Sequence, residues 1–288
     1  MNILVTGGAG FIGTNLIRKL LKDGHSLVSI DNYSTGLRNN HINDAIYIEG
    51  DVSKYTTEDF NFLIQQCGKF DVVFHLAAIA RIQPSFKRPI DSFETNALGT
   101  LKVAMFCVDQ NIPLVYAGSS SHHGGRFKNP YTFTKDVGED CIEMCRQVYD
   151  LKCNTARFYN VYGPNSLKSG DYCTLIGIWE SRIENNLPLI IYGDGSKRRD
   201  FTHVDDIVNA LALMVYKDIW GETFELGRGK NYSVKEIADA FNREVEYKED
   251  KPGEVQETLC DHRLAKELLG WEPTIDIMNY IKEYNTRS

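Results

Sequence analysis

Apolar positions in the first half of the chain come in short runs, separated by longer stretches with helical spacing. The runs ILV (3–5), LVSI (27–30), IYI (46–48), DVVFHL (71–76) and PLVYA (113–117) predict β-strands. The stretches 11–23, 56–67, 90–110 and 130–150 predict helices between them. Strands of buried character that alternate with helices predict a parallel sheet covered on both faces. One more strand in LKCNTARFYNVYG (151–163) falls where a six-stranded, doubly wound sheet would end.

Beyond residue 160 the pattern loosens. GPNSLKSGDY reads as loop, 174–186 as helix, and LPLIIYGDG (187–195) as a strand and turn. The strongly apolar VDDIVNALALMVY (204–216) predicts a helix that packs back on the first sheet, and further helices are expected near 233–243, 261–269 and 274–284. With no repeat or long linker, the expectation is a dinucleotide-binding domain over 1–160, with 201–228 returning to it. A smaller interleaved α/β substrate lobe is expected from 161–200 and 229–288.

Composition narrows the class. A net charge of −7 argues against a phosphate-backbone footprint, so no nucleic-acid partner is expected. No apolar run approaches about 18 residues, so no membrane span is expected, and MNILVTGG lacks a basic leader region. The 7 cysteines form no CxxC pair and predict buried or free thiols in a reducing cytoplasm. Cys141 and Cys145 lie one helical turn apart, but no nearby His or Cys pair completes a zinc set, so no metal is expected.

ILVTGGAGFIG places Gly7, Gly10 and Gly13 between the first strand and the first helix. Glycines there allow a tight turn, close approach of a pyrophosphate, and packing of the helix on the sheet, with the helix N-terminus facing the phosphates. This predicts a Rossmann dinucleotide site. Asp31 ends the second strand, 18 residues after Gly13, where a carboxylate binds ribose hydroxyls and repels a 2′-phosphate. NAD is therefore expected over NADP, with Arg38 the nearest residue that would serve the alternative.

In SSSHHGGRFKNPYTFTK (119–135), Asn129-Pro130 is a helix start, and it puts Tyr131 and Lys135 one turn apart on one face. A free tyrosine titrates near pH 10; a neighbouring ammonium and a cationic nicotinamide favour its phenolate. A serine hydroxyl from the preceding strand end, Ser119 or Ser120, would hydrogen-bond the reacting oxygen.

At this point the chain resembles the extended short-chain dehydrogenase/reductase family, and within it the NAD-dependent nucleotide-sugar epimerases. The matching segments run in order along nearly the whole chain: TGGAGFIG (6–13), DNYSTG (31–36), GDV (50–52), HLAA (75–78), YTFTK (131–135), RFYNVYGP (157–164), GDGSKRRDFTHVDD (193–206) and LGWEP (269–273). The resemblance implies that Gly7, Gly10, Phe11, Ile12 and Gly13 hold the pyrophosphate, and that Asp31 and Asn32 hold the ribose. It places Ser34, Thr35 and Gly36 by the adenosine, with Asp51 and Val52 flanking the adenine. Leu76, Ala77, Ala78 and Asn96 would line the cleft, Lys135 would hold the nicotinamide ribose, and Phe158 would sit by the nicotinamide. Asn160, Arg199 and Lys251 match positions that bind the nucleotide diphosphate of the sugar. At Lys251 the family usually has arginine, so the bidentate fork is lost. A homodimer through the helices at 90–110 and 130–150 is also implied.

The same resemblance bears on the reaction. Dehydratases of the family carry an acid just after the active-site hydroxyl; here His122 and His123 follow instead. That argues against dehydration and decarboxylation, and Asp31 argues against an NADPH reductase. The expectation is epimerisation of a nucleotide-diphosphate sugar, a UDP-hexose or UDP-N-acetylhexosamine, at C4. Thr258 stands where a bulky residue would crowd an N-acetyl group. The alternatives are an NAD(P)H-dependent keto-sugar reductase and a non-catalytic NAD-binding regulator. His122 and His123 sit in a loop shorter than the family's, either contacting the substrate or assisting proton transfer, or as loop residues exposed or bonded to backbone.

Overall fold

The computed structural model describes residues 1–287. Its first part alternates β1 (Asn2–Thr6), α1 (Phe11–Lys22), β2 (Ser26–Asp31), β3 (Ala45–Glu49), α2 (Thr57–Cys67), β4 (Val72–His75), α3 (Ile82–Lys87), α4 (Pro89–Phe93), α5 (Thr100–Gln110), β5 (Leu114–Ser119), α6 (Pro130–Tyr149) and β6 (Cys153–Phe158). The second part contains β7 (Val161–Tyr162), α7 (Leu175–Glu184), β8 (Leu189–Tyr192), β9 (Arg198–Asp200), β10 (Thr202–His203), α8 (Val204–Tyr216), β11 (Thr223–Leu226), β12 (Asn231–Ser233), α9 (Val234–Phe241), β13 (Val245–Lys248) and α10 (Ile277–Arg287).

The main sheet has seven parallel strands in the order β11-β6-β5-β4-β1-β2-β3. Side chains alternate across it, as a period of two requires. Ile3, Val5, Val72, Phe74 and Val115 face a core built with α1 and α8. Leu4, Val28, Ile30, Val73, Leu114 and Tyr116 face a second core. On α8, Val204, Ile207, Leu211 and Met214 are all fully buried, each contributing about 1.5–3 kcal/mol by removal from water. A third core, with Trp179, Ile191, Phe241 and Ile281, belongs to the smaller lobe.

Three expectations change. The sheet has a seventh strand, β11, paired with β6 from Thr223↔Thr155 to Leu226↔Phe158; its four residues carry only two apolar side chains, too weak a pattern to announce a strand. The helix expected over 90–110 is divided by a π-helical turn at Glu94–Gly99. Residues 265–271, expected in the substrate lobe, join the core under α8 through Ala265, Leu269 and Trp271. Trp271 Nε1 donates to Asp206 O at 2.9 Å and fastens that return.

β1 has β2 on one side and β4 on the other, so the winding reverses there. Ligands of doubly wound sheets bind at such a switch point, outside the C-terminal strand ends.

Candidate active site

A cavity of about 380 Å³ opens at those strand ends and extends to the smaller lobe. At one end lies the glycine turn. Gly7 has φ +74, and an added Cβ would come within 2.8 Å of Ala77 N; one on Gly13 would come within 2.2 Å of Gly7 O. Only glycine permits that approach. Gly10 caps α1 with no side-chain hydrogen bond, leaving the first-turn N–H groups for an anion. Buried Asp31 braces the turn: its carboxylate accepts from Ala9 N at 2.9 Å and Tyr33 N at 2.8 Å. Burial raises its pKa, while those two N–H bonds act in the opposite direction. Arg38 is exposed and paired with Glu49 at 2.6 Å.

A neutral relay supports the next strand end. His75 bridges Thr6 Oγ1 at 2.6 Å and Thr100 Oγ1 at 3.1 Å. Burial, with a smaller effect from Lys135, pushes the His75 pKa down to about 3. Thr6 Oγ1 in turn accepts from Ala77 N at 3.2 Å, so His75 is an uncharged strut between β1, β4 and α5.

At the other end, Asn129 caps α6 through Thr132 N at 2.8 Å, with Pro130 in the first helical position. This aims Tyr131 at the end of β5. The Tyr131 hydroxyl donates to Ser119 Oγ at 3.2 Å. Ser119 Oγ also lies 2.9 Å from Ser121 Oγ. Lys135 is buried, donates to Ala117 O at 2.6 Å and sits 4.3 Å over the Tyr116 ring. Burial pulls its pKa from 10.5 to about 8, Glu139 opposing. Burial raises the Tyr131 pKa, while the Ser119 bond and the Arg81 charge lower it.

Beneath the serine loop, Arg157 pairs with Glu139 at 2.6 Å and Glu225 at 2.9 Å. Glu139 Oε1 accepts weakly from Ser119 N at 3.4 Å. This network and its neighbour Asp136 take up both histidines. His122 Nδ1 lies 3.0 Å from Asp136 Oδ1, and His123 Nε2 lies 2.8 Å from Glu225 Oε1. Neither lines the cavity; both tie the short loop to α6 and β11.

In the smaller lobe, Asn160 Nδ2 donates to Thr258 Oγ1 and Asp200 O, each at 3.0 Å. The Asp200 carboxylate accepts from Arg228 N, Gly229 N and Cys260 N, fastening the Thr258 segment. Arg199 pairs with Glu254 at 3.4 Å. Asn160, Arg199, Glu254 and Thr258 all line the cavity.

A family-level match to the NAD dependent epimerase/dehydratase family covers residues 3–227. The chain belongs to that family. It is 30% identical to a UDP-glucuronate 4-epimerase of Thermodesulfobacterium geofontis, over 97% of this chain and 93% of that one. It is 29% identical to a UDP-glucose 4-epimerase of Mycolicibacterium smegmatis, over 96% and 94%. A solved UDP-glucose 4-epimerase of Thermotoga maritima, with UDP-glucose, superposes with a TM-score of 0.92 at 29% identity, covering 100% of this chain and 99% of that one.

NAD is the cofactor of this epimerase/dehydratase family member, and the uncapped α1 terminus and braced glycine turn suit its pyrophosphate. The cavity wall includes Gly7, Gly10, Phe11, Ile12, Gly13, Asp31, Asn32, Ser34, Thr35, Asp51, Val52, Leu76, Ala77, Ala78, Ser119, Ser120, Tyr131, Lys135 and Phe158. Three expected residues stand off that wall. Asn96 is fully buried and clamps Ile79, accepting from its N at 2.8 Å and donating to its O at 3.0 Å. Gly36 packs on the Asp31 carboxylate, where a Cβ would come within 2.7 Å of Oδ1. Lys251 lies 3.6 Å over the Tyr192 ring. The wall also holds residues the sequence reading passed over, among them Arg81, Ser121, Tyr172, Thr174 and Glu254. Arg81 was visible as a charge just past the apolar HLAAIA, at the end of a strand where ligands bind.

Proposed function

We propose that the protein is an NAD-dependent epimerase that inverts C4 of a UDP-bound hexose or N-acetylhexosamine. The observation that carries this reading is the Tyr131 hydroxyl at 3.2 Å from Ser119 Oγ, one turn ahead of buried Lys135. Among the described residues the carboxylates on the cavity wall are Asp31, Asp51 and Glu254. The first two lie across the switch point from Tyr131, and Glu254 is held by Arg199. None stands ready to take a second proton, as elimination of water would need.

NAD, when bound, supplies a reversible two-electron oxidation at C4 and is regenerated within each turnover. Tyr131 accepts the proton of the 4-hydroxyl, Ser119 Oγ hydrogen-bonds the same oxygen, and the Lys135 charge favours the phenolate. The flat 4-keto sugar then turns over in the cavity, and Tyr131 returns the proton. Asn160 and Arg199 hold the diphosphate meanwhile, and Thr258 leaves room for an N-acetyl group. The test is incubation with UDP-, dTDP- and GDP-sugars without added NAD, followed by mass analysis and NMR. Epimers of unchanged mass are expected; loss of water, or steady consumption of supplied NADPH, would sink the proposal.

Pairing of two copies through 90–110 and 130–150 belongs to the same reading. It is supported by exposed Ile90, Phe93, Leu98, Met144 and Val148, and sedimentation showing only monomer at micromolar concentration would count against it. The 7 free thiols support a reducing, cytoplasmic setting.

A further inference from the structure

Two guanidinium groups line the cavity. Arg199 is paired with Glu254 and donates to two carbonyls. Arg81 has no ion-pair partner among the described residues: Nε donates to Tyr172 O at 3.1 Å, and Nη1 and Nη2 have no protein acceptor there. Arg81 is half-buried; a cation partly withdrawn from water without an ion-pair partner carries a cost that an anion brought by a ligand relieves. Burial lowers the Arg81 pKa, with Tyr131, Cys173 and Glu254 acting the other way.

The backbone adds a second observation. Arg81 has φ +148 and ψ 141, a region that side-chain-bearing residues rarely adopt. Strain of that kind persists where the surrounding structure enforces it, most often at ligand sites. Arg81 also precedes α3, whose Ser85 Oγ accepts from Tyr131 N at 3.0 Å. The cation and the proposed base therefore belong to one braced unit, on the opposite lobe from Arg199.

We propose that Arg81 binds a carboxylate carried by the sugar, on a substituent of a ring carbon adjacent to C4. This rests on the epimerase reading, which puts C4 at Tyr131. In a hexopyranose the neighbours of C4 are C3 and C5, so the acid is either C6 of a hexuronic acid or a carboxyalkyl ether on O3. A guanidinium fork matches a carboxylate with two parallel hydrogen bonds. Arg199, in the other lobe, is left for the diphosphate.

The experiment compares kcat/KM on two pairs: UDP-glucuronic acid against UDP-glucose, and UDP-N-acetylmuramic acid against UDP-N-acetylglucosamine. The wild-type protein is expected to favour the acid in at least one pair, and the pair identifies the source of the carboxylate. Arg81→Met is expected to lower the acid-to-neutral ratio in that pair by about 100-fold, mainly through KM. Arg81→Gly, which suits the backbone at φ +148, should lower the ratio equally, so a misfolded Met variant does not hide the answer. Preference for the neutral sugar in both pairs overturns the proposal and leaves the epimerase reading intact. An equal loss on acid and neutral sugars also overturns it, since Arg81 would then serve Tyr131 or the diphosphate. No epimerisation of any of the four overturns both.

Discussion

Replacing Lys135 with methionine should change the pH dependence of stability as well as activity. The ammonium is 3% exposed and its pKa falls from 10.5 to about 8, chiefly through burial. Between those values the unfolded chain binds the proton more tightly, so wild-type stability rises with pH across the window. A gap of about 2.5 pH units corresponds to about 3 kcal/mol. Below pH 8 the buried charge is present and its full cost is felt; above pH 10.5 it is absent from both states. Methionine has a similar stem and no charge. The wild type should therefore gain about 3 kcal/mol on Lys135→Met, almost all of it between pH 8 and 10.5, where the slope approaches 1.4 kcal/mol per pH unit. Losing the bond to Ala117 O shifts the offset by about 1 kcal/mol but not the slope, since a neutral amine still donates. Urea unfolding followed by tryptophan fluorescence at pH 7, 8, 9 and 10 measures the difference. Turnover should be lost in the same variant. A stability difference that stays flat over this range would refute the claim that Lys135 is held charged against burial.

Tyr131→Phe removes the proposed base and should lower kcat about 1,000-fold with KM little changed; steady-state kinetics on the best UDP-sugar checks this, and a loss confined to KM would contradict it. His122→Ala and His123→Ala should leave kcat within about twofold and cost at most about 1 kcal/mol, since each histidine is exposed, contacts a carboxylate and lies off the cavity wall; a large drop in kcat would return them to the active site. Thr258→Tyr should lower turnover of UDP-N-acetylglucosamine relative to UDP-glucose by about 10-fold or more, measured by product analysis on both. A wild-type protein that accepts UDP-glucose but not UDP-N-acetylglucosamine would already refute the space argument.

Features that depend on local backbone geometry were legible along the chain. The glycine turn needs a positive φ at Gly7 and a close approach of Gly13 to Gly7 O, and both constraints act within a few residues. The start of α6 is set by Asn129 and Pro130, and the Tyr131–Lys135 pairing follows from the helical repeat. Binary pattern located β1, β2, β4 and β5 because strands buried on both faces must be apolar throughout, and it found the edge strand β3 from the short run IYI. The same reasoning fell short where an element is defined by its neighbours. β11 is a strand because β6 offers it an edge. Trp271 returns to the first domain because α8 leaves space and a carbonyl for it.

The chain by itself determined the doubly wound fold, through strand–helix alternation, and the glycine turn and the Tyr131–Lys135 pair, through spacing over one or two turns. Only the tertiary structure decided which serine stands beside Tyr131, because β5 and α6 meet at an angle that no spacing encodes. It also decided that the two histidines face Asp136 and Glu225, since their partners lie 14 and 102 residues away. And among the described residues it left Arg81 without an ion-pair partner, because Glu254, the carboxylate whose charge acts on it, is bound by Arg199.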